Sequence, residues 1–180
     1  DQSKSLRYQK TLATRKATSE KRKSQSCRVF TFKINENKLS STQKEQLKMI
    51  FVEAKWLYND ILNFSKDNPI WKYNTKVKEL NVINKNKESE VRTLNFIGSS
   101  MKQAVHEQIT SAIKSLATKK KQGKKVGSLK FTSEITSINL KQYGSTHVIL
   151  SKNRIRIQNI SKPIKVSGLS QFNQIEGLEF

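Results

Sequence analysis

The chain has 180 residues, of which 35 are Lys or Arg and 14 are Asp or Glu, so its formal net charge is +21. So large a charge repels itself in a compact fold, and a polyanion that releases counterions on binding offsets it. A membrane surface is the alternative polyanion, but we expect none, because no apolar run approaches the roughly 18 residues that span a bilayer and DQSKSLRYQK does not resemble a signal peptide. Cys27 is the only cysteine, which excludes an internal disulfide and a cysteine-rich zinc site.

Residues 1–27 are predicted to form a basic arm. Eight basic side chains, among them Arg15, Lys16 and Arg22, accompany only Asp1 and Glu20. Apolar residues are too sparse for a packed face, so we expect a flexible segment that becomes helical on binding. A solvated tail without a partner is the alternative.

Residues 28–122 are predicted to contain one strand and a helical insertion. The alternation in 28–34 favours a strand. A capping box at Thr42 and Glu45 then predicts a helix that ends near residue 65, before Pro69. Apolar residues at 73, 77 and 80 suit a short helix, and 84–90 suits a loop. A second long helix follows to about residue 116, with Ser100 and Gln103 as its capping box.

Beyond residue 122 the apolar period changes to two, which predicts strands at 129–131, 137–140, 148–150, 154–157 and 164–166. A strand at residue 28 is not stable alone, so it must pair with these later strands. We therefore predict an α+β fold in which a small antiparallel β-barrel or sheet (28–38 and 123–180) is interrupted by helices (39–122). The chain stops at 176–180 in what resembles a further strand, so we expect a fragment of a longer protein.

The sequence predicts no catalytic residue and no metal site. Two-metal phosphodiester cleavage needs clustered carboxylates, but Asp60 and Asp67 are the only aspartates after residue 1. His106 and His147 have no metal-ligand spacing.

Two acid-free runs carry basic residues suited to phosphate contacts. In 114–130 the candidates are Lys119, Lys120, Lys121, Lys124, Lys125 and Lys130, and in 141–165 they are Lys152, Arg154 and Arg156. On a strand, Arg154 and Arg156 point to the same face. Several aromatic residues could stack on bases if exposed, although we expect Trp56 and Phe131 to fill the core.

Two segments resemble the TnpB family of transposon-encoded RNA-guided DNA endonucleases, relatives of type V CRISPR effectors. SMKQAVHEQITSAIKSLA (100–117) and KKKQGKKVGSLKF (119–131) are similar to that family's helix and basic turn, with Leu116-Ala117 where Phe-Phe is usual and Leu129 where Pro is usual. WLYN (56–59), NRIRI (153–157) and PIKV (163–166) also resemble family segments. The resemblance spans roughly residues 28–170.

The resemblance implies an OB-like wedge (WED) barrel interrupted by a helical recognition (REC) domain. Its partners would be a guide RNA, a double-stranded DNA target and the nuclease portion of the same protein, which would hold the Mg²⁺ and Zn²⁺ that this chain lacks ligands for. Tyr73, Gln103 and Asn139 resemble residues that approach the short target-adjacent motif, and Tyr58 and Asn59 match the family's Tyr-Asn pair. The expected location is the prokaryotic cytoplasm, or the nucleus for a eukaryotic relative.

Three other functions stay open at this stage. The chain could belong to a nuclease-dead RNA-guided repressor, since the difference lies in carboxylates outside it. It could be a stand-alone basic RNA-binding protein, or a basic scaffold whose lysines reflect genome composition.

Overall fold

The computed structural model describes residues 2–26, 29–84 and 86–174, and the chain divides into two units, Asp1–Thr31 and Phe32–Phe180. The first unit holds helix α1, Gln2–Lys23. The side chains described along α1 are exposed, including Leu6 and Tyr8. The expected flexible arm is therefore helical here, which its alanine, lysine, arginine and glutamine content permits.

The second unit is built on two long helices, α2 (Ser41–Asp67) and α3 (Ser99–Lys121). Their facing stripes recur at helical spacing and form the centre of the core. Leu57 and Ile61 of α2 and Ile109 of α3 are completely buried. Each such side chain contributes about 1.5–3 kcal/mol relative to an exposed one.

Helix α2 begins with a different capping box from the one expected at Thr42 and Glu45. Ser40 is the N-cap: its Oγ accepts the Gln43 backbone N–H at 3.2 Å, and Gln43 Oε1 accepts the Ser40 backbone N–H at 2.9 Å. The Gln43 amide also donates to the Lys162 carbonyl at 3.0 Å. Because that tertiary contact buries Gln43, the box forms two residues before the Thr42–Glu45 pair.

Residues 70–93 correct the expectation of a short helix. A 3₁₀ turn at Ile70–Lys72 is followed by an antiparallel hairpin of β2 (Glu79–Ile83) and β3 (Ser89–Thr93). Of the loop expected at 84–90, the described residues 84 and 86–88 connect the two strands, whereas 89–90 belong to β3. Leu80 is buried and β2 packs against α2, so the apolar residues at 77 and 80 anchor a hairpin instead of one helix face.

Helix α3 also begins differently from the expectation, because Gly98 is its N-cap and supplies no side-chain cap. Ser100, expected to be the cap, donates its hydroxyl to Gln142 Oε1 at 2.9 Å instead. The backbone before α3 is held by Glu53 of α2: its carboxylate accepts N–H groups from Asn95, Phe96 and Ile97 at 2.9, 2.8 and 2.8 Å. These bonds satisfy N–H groups that precede the N-cap, so they fix the backbone that leads into α3 and do not cap the helix itself.

Four strands form the main sheet: β1 (Lys33–Ile34), β4 (His147–Leu150), β5 (Arg154–Ile157) and β6 (Ile164–Ser167). Their order is β1-β6-β5-β4 and all neighbours are antiparallel. The first strand thus pairs with the last across the helical insertion, as predicted. It is shorter than the predicted 28–34: residues 29–32 are not part of a strand, and Arg28 lies outside the described residues.

The segments 129–131 and 137–140 are not strands, so the described part of the sheet is open and forms no closed barrel. Just after the first of these segments, the Asn59 amide donates to the Thr132 carbonyl and accepts the Thr132 N–H, both at 2.9 Å. Ile135 is buried in the core nearby. The further strand expected at 176–180 lies outside the described residues. The fold is α+β, with two small antiparallel sheets.

Candidate nucleic-acid interface

The outward face of the main sheet carries four basic side chains. Alternation along β5 exposes Arg154 and Arg156 and turns Ile155 and Ile157 inward. The register places Arg154 directly opposite Lys165 of β6. Lys33 of β1 lies opposite Ser167, two residues further along β6 and therefore on this same face. We call the four residues Lys33, Arg154, Arg156 and Lys165 the basic sheet face.

No acidic residue lies on this face among the described strand residues. Adjacent strands are about 4.8 Å apart and alternate residues of one strand are roughly 7 Å apart. These spacings are shorter than the Debye length of about 8 Å at physiological salt, so the charges repel one another. Like charges directly opposite, as Arg154 and Lys165 are, destabilise a sheet by roughly 0.2–1 kcal/mol. A bound row of phosphates would remove that repulsion.

Apolar side chains complete the same face. Val148 lies opposite Arg156 and Leu150 opposite Arg154, and both are half-buried. The turn to β5 contains Lys152 and Asn153 with φ of 60° and 54°, in the left-handed region. The exposed Lys152 thus adds a fifth cation at one end of the basic sheet face.

A second group of cations occupies the last turn of α3 and the residues that follow it; we call this group the lysine-rich end of α3. Gly123, with φ of 73°, ends the helix, and the Lys124 and Gly123 N–H groups close it onto the Lys119 and Lys120 carbonyls at 3.1 and 3.0 Å. Cations at a helix C-terminus also interact favourably with the helix dipole, so part of their role is structural. The exposed members are Lys119, Lys120, Lys121, Lys124, Lys125 and Lys130.

The candidate arm residues lie on α1. Arg15, Lys16 and Arg22 are all exposed, and Lys21, Arg22 and Lys23 occupy the last turn. Arg15 and Arg22 are seven residues apart and so share a helix face. This unit presents cations of its own.

Tyr73, one candidate reader of the target-adjacent motif, is a core residue with 9% of its surface exposed. Its hydroxyl donates to Asp60 Oδ2 at 2.6 Å, and its ring is stacked with that of His106 at 6.2 Å between centroids. Burial, then the hydrogen bond to Asp60, raises the pKa of Tyr73. In this conformation its ring is not available to a base.

Gln103 and Asn139, the other candidate readers, are both exposed. Gln103 shares a helix face with Ser100 and Glu107, at positions i−3 and i+4. Ser100 binds Gln142, and Glu107 forms an ion pair with Lys141. The segment that contains Asn139 therefore runs beside the face of α3 that displays Gln103. From the sequence, only the family resemblance indicated that Gln103 and Asn139 would serve one site.

Tyr58 and Asn59 have structural surroundings. Tyr58 is half-buried against the core. Each polar atom of the Asn59 amide already makes one hydrogen bond to Thr132, as described above, so its orientation is set by the protein. Asn59 therefore positions Thr132, immediately after the basic segment 119–131.

Two features were missed by sequence reasoning. Lys33 belongs to the basic sheet face although it is more than 100 residues from the other three members in sequence. The alternation in 29–34, together with the expected pairing to a later strand, could have indicated that its side chain faces outward. Glu53 is 1% exposed and lies on the apolar stripe between Ile50 and Leu57. An acid at such a position signals a buried acceptor role. Lys102, also buried, donates to the Val77 carbonyl at 2.7 Å; burial lowers its pKa and Glu53 opposes that shift.

Within 2–26, 29–84 and 86–174, no three His, Cys, Asp or Glu residues are grouped so as to hold a metal ion. None of the helices in these ranges is both long enough and apolar enough to cross a membrane. Comparisons of the chain with protein-family models, with curated proteins and with solved structures found no match.

Proposed function

We propose that this chain binds nucleic acid through the basic sheet face and the lysine-rich end of α3. The observation that carries the proposal is the basic sheet face itself, in which Arg154 and Lys165 are directly paired without an acid on the same face. Such an arrangement weakens the free protein, and contact with a polyanion reverses the penalty.

We further propose that the chain is the guide-RNA- and target-DNA-binding half of an RNA-guided nuclease similar to TnpB proteins. The sequence resemblance supports this, and so does the pairing of β1 with β6 across the helices, the connectivity that an interrupted WED domain needs. In this assignment base pairing with the guide reads the target sequence, and the protein reads duplex shape and a short adjacent motif. Gln103 and Asn139 are the exposed candidate readers.

The electrostatic part is tested by a salt titration of duplex binding. The logarithm of the association constant should fall linearly with that of salt concentration, with a slope of about −0.9 for each phosphate neutralised. Arg156→Gln should make the slope shallower by about 0.9. Lys87→Gln is the control, because Lys87 is an exposed lysine in the β2–β3 turn beside Glu88. A slope near zero, or equal effects of the two variants, would refute the proposal.

Arg154→Gln gives a second test in which stability and binding change in opposite directions. Removing the repulsion from Lys165 should leave the free energy of unfolding unchanged or raise it by up to roughly 1 kcal/mol, while duplex affinity falls. A variant that loses both stability and affinity would show that Arg154 is a structural residue.

The RNA that co-purifies with the chain separates the specific assignment from its alternatives. One RNA species with a constant scaffold and a variable end supports the RNA-guided function. Ribosomal RNA instead would favour a stand-alone RNA-binding protein, and weak binding to any nucleic acid at physiological salt would favour a scaffold.

A further inference from the structure

An apolar groove lies between the C-terminal halves of α2 and α3, outside the basic sheet face. Its volume is about 450 Å³, within the range of pockets that accept small organic ligands. Leu62 of α2 and Leu116 of α3 form its walls, and residues 128–131 close one side. We call it the Phe131 groove.

Phe131 was expected to fill the core, but it retains 54% of its accessible surface. The backbone next to it is anchored: Thr132 is held to Asn59 by the two 2.9 Å hydrogen bonds, and the Thr132 Oγ1 donates to the Glu134 carbonyl at 2.5 Å. An aromatic ring held half-exposed by rigid backbone is pre-organised for contact with a ligand, because little freedom is lost on binding.

The charge around the groove selects the kind of ligand. Two lysines, Lys66 and Lys130, are among its lining residues and no acidic residue is. Lys66 Nζ lies over one face of the Phe131 ring, 4.5 Å from its centre, so a stacked base would lie on the opposite face. The chain between Leu116 and residue 128 carries five lysines of the lysine-rich end of α3. The groove therefore suits a ligand with a flat, stackable portion and an anionic portion joined to it.

We propose that the Phe131 groove binds one unpaired nucleotide of an RNA strand, with the base against the Phe131 ring and the phosphates beside Lys66 and Lys130. This inference rests on the proposed nucleic-acid function and adds a site for a single base. RNA is the chosen source because its unpaired loops and bulges display bases that aromatic side chains stack upon. Stacking of this kind tolerates any base, since every base has a π face.

The test uses the full chain and a single-stranded RNA of about 12 nucleotides, within the site sizes typical of single-strand binders, with one central 5-bromouridine for photo-cross-linking. Cross-linked peptides should contain Phe131. Phe131→Ala should weaken RNA binding by about 5- to 150-fold, the range for loss of one stacked base. Phe131→Trp should retain affinity, and Phe131→Leu, which keeps apolar bulk without a ring, should behave as Phe131→Ala does. Because any base can occupy the groove, an RNA of the same length that is abasic at every nucleotide should lose the difference between wild type and Phe131→Ala.

Trp71→Ala is the matched control, because Trp71 is an exposed aromatic residue (77%) outside the groove. Its RNA affinity should equal that of the wild type. Salt-dependent binding with unchanged affinity in Phe131→Ala and Phe131→Leu, or cross-links only elsewhere, would overturn the groove and leave the proposed function standing. Absence of any salt-dependent binding would overturn both. A DNA strand of the same sequence that binds and cross-links equally well would overturn the choice of RNA.

Discussion

Replacing Glu53 by glutamine is the sharpest test of how the helical insertion is held together. The Glu53 side chain is 1% exposed and accepts three backbone N–H groups from 95–97, immediately before the N-cap of α3. Glutamine has the same shape but replaces one acceptor oxygen by a donor. The substitution therefore perturbs hydrogen bonding with almost no change in volume.

The magnitude follows from which oxygen receives which bond. Oε2 accepts the N–H groups of Phe96 and Ile97, and Oε1 that of Asn95. The best orientation of the substituted side-chain amide keeps its oxygen at the first pair, so the Asn95 N–H loses its acceptor at a cost of about 1–3 kcal/mol. The two remaining bonds change from charge-assisted to neutral and lose about 1 kcal/mol each. Lower desolvation of the neutral side chain offsets part of this, leaving a loss of about 2–4 kcal/mol.

Urea unfolding followed by tryptophan fluorescence measures this loss, and amide hydrogen exchange at residues 95–97 should accelerate with it. For a chain of 180 residues, the expected fall in melting temperature is roughly 5–15 °C. Glu45→Gln is the control on the same helix, because its contact with Lys48 spans 4.0 Å between largely exposed side chains. It should change stability by less than about 0.5 kcal/mol. Glu53→Gln within that same limit would refute the three-bond account.

Other predictions concern the helix start, a buried hydroxyl and a candidate reader. Ser40→Ala should cost about 1 kcal/mol in urea unfolding, while Thr42→Ala should cost almost nothing; equal losses would contradict the observed cap. Tyr73→Phe should lose about 1 kcal/mol at neutral pH, because the bond to Asp60 disappears. Since the folded-state pKa of Tyr73 is raised, its contribution is complete below pH ~10 and is lost above it. The free energy of unfolding, measured at neutral pH and at pH values on either side of ~10, should therefore fall less steeply above pH ~10 in the variant than in the wild type. Identical declines would refute this. Gln103→Ala should reduce binding to a target with the adjacent motif and preserve guide-RNA binding; equal loss of both would contradict a reader role.

The basic residues that lack an acidic neighbour on the sheet and the residues that hold the backbone in place lie in different parts of this protein. Glu53 and Asn59 satisfy backbone groups inside the helical insertion and at its exit, whereas Arg154 and Lys165 face outward without acidic partners on the described sheet. Substitutions at the first pair should mainly lower stability, and substitutions at the second should mainly lower binding. This division makes the functional proposal separable from folding by mutation.

Local patterns in the sequence determined several elements of this protein. Apolar residues at helical spacing predicted α2 and α3, because a helix buries one stripe whatever it packs against. The alternation at 154–157 predicted β5 with its observed bounds, and the two acid-free runs predicted where exposed cations would lie. The need of an isolated strand for a partner predicted that the chain near residue 33 would join the later strands.

Only the tertiary structure decided the features that depend on residues far apart in the chain. Gln43 became the capping partner because the Lys162 carbonyl also binds it, and the segment predicted as a strand at 129–131 leads instead into Thr132, which Asn59 binds. Tyr73 is buried by α2 and α3, whereas Phe131 is held half-exposed at a groove. In each case the local pattern is compatible with more than one conformation. A partner that is distant in sequence then selects one by satisfying a hydrogen bond or burying an apolar side chain.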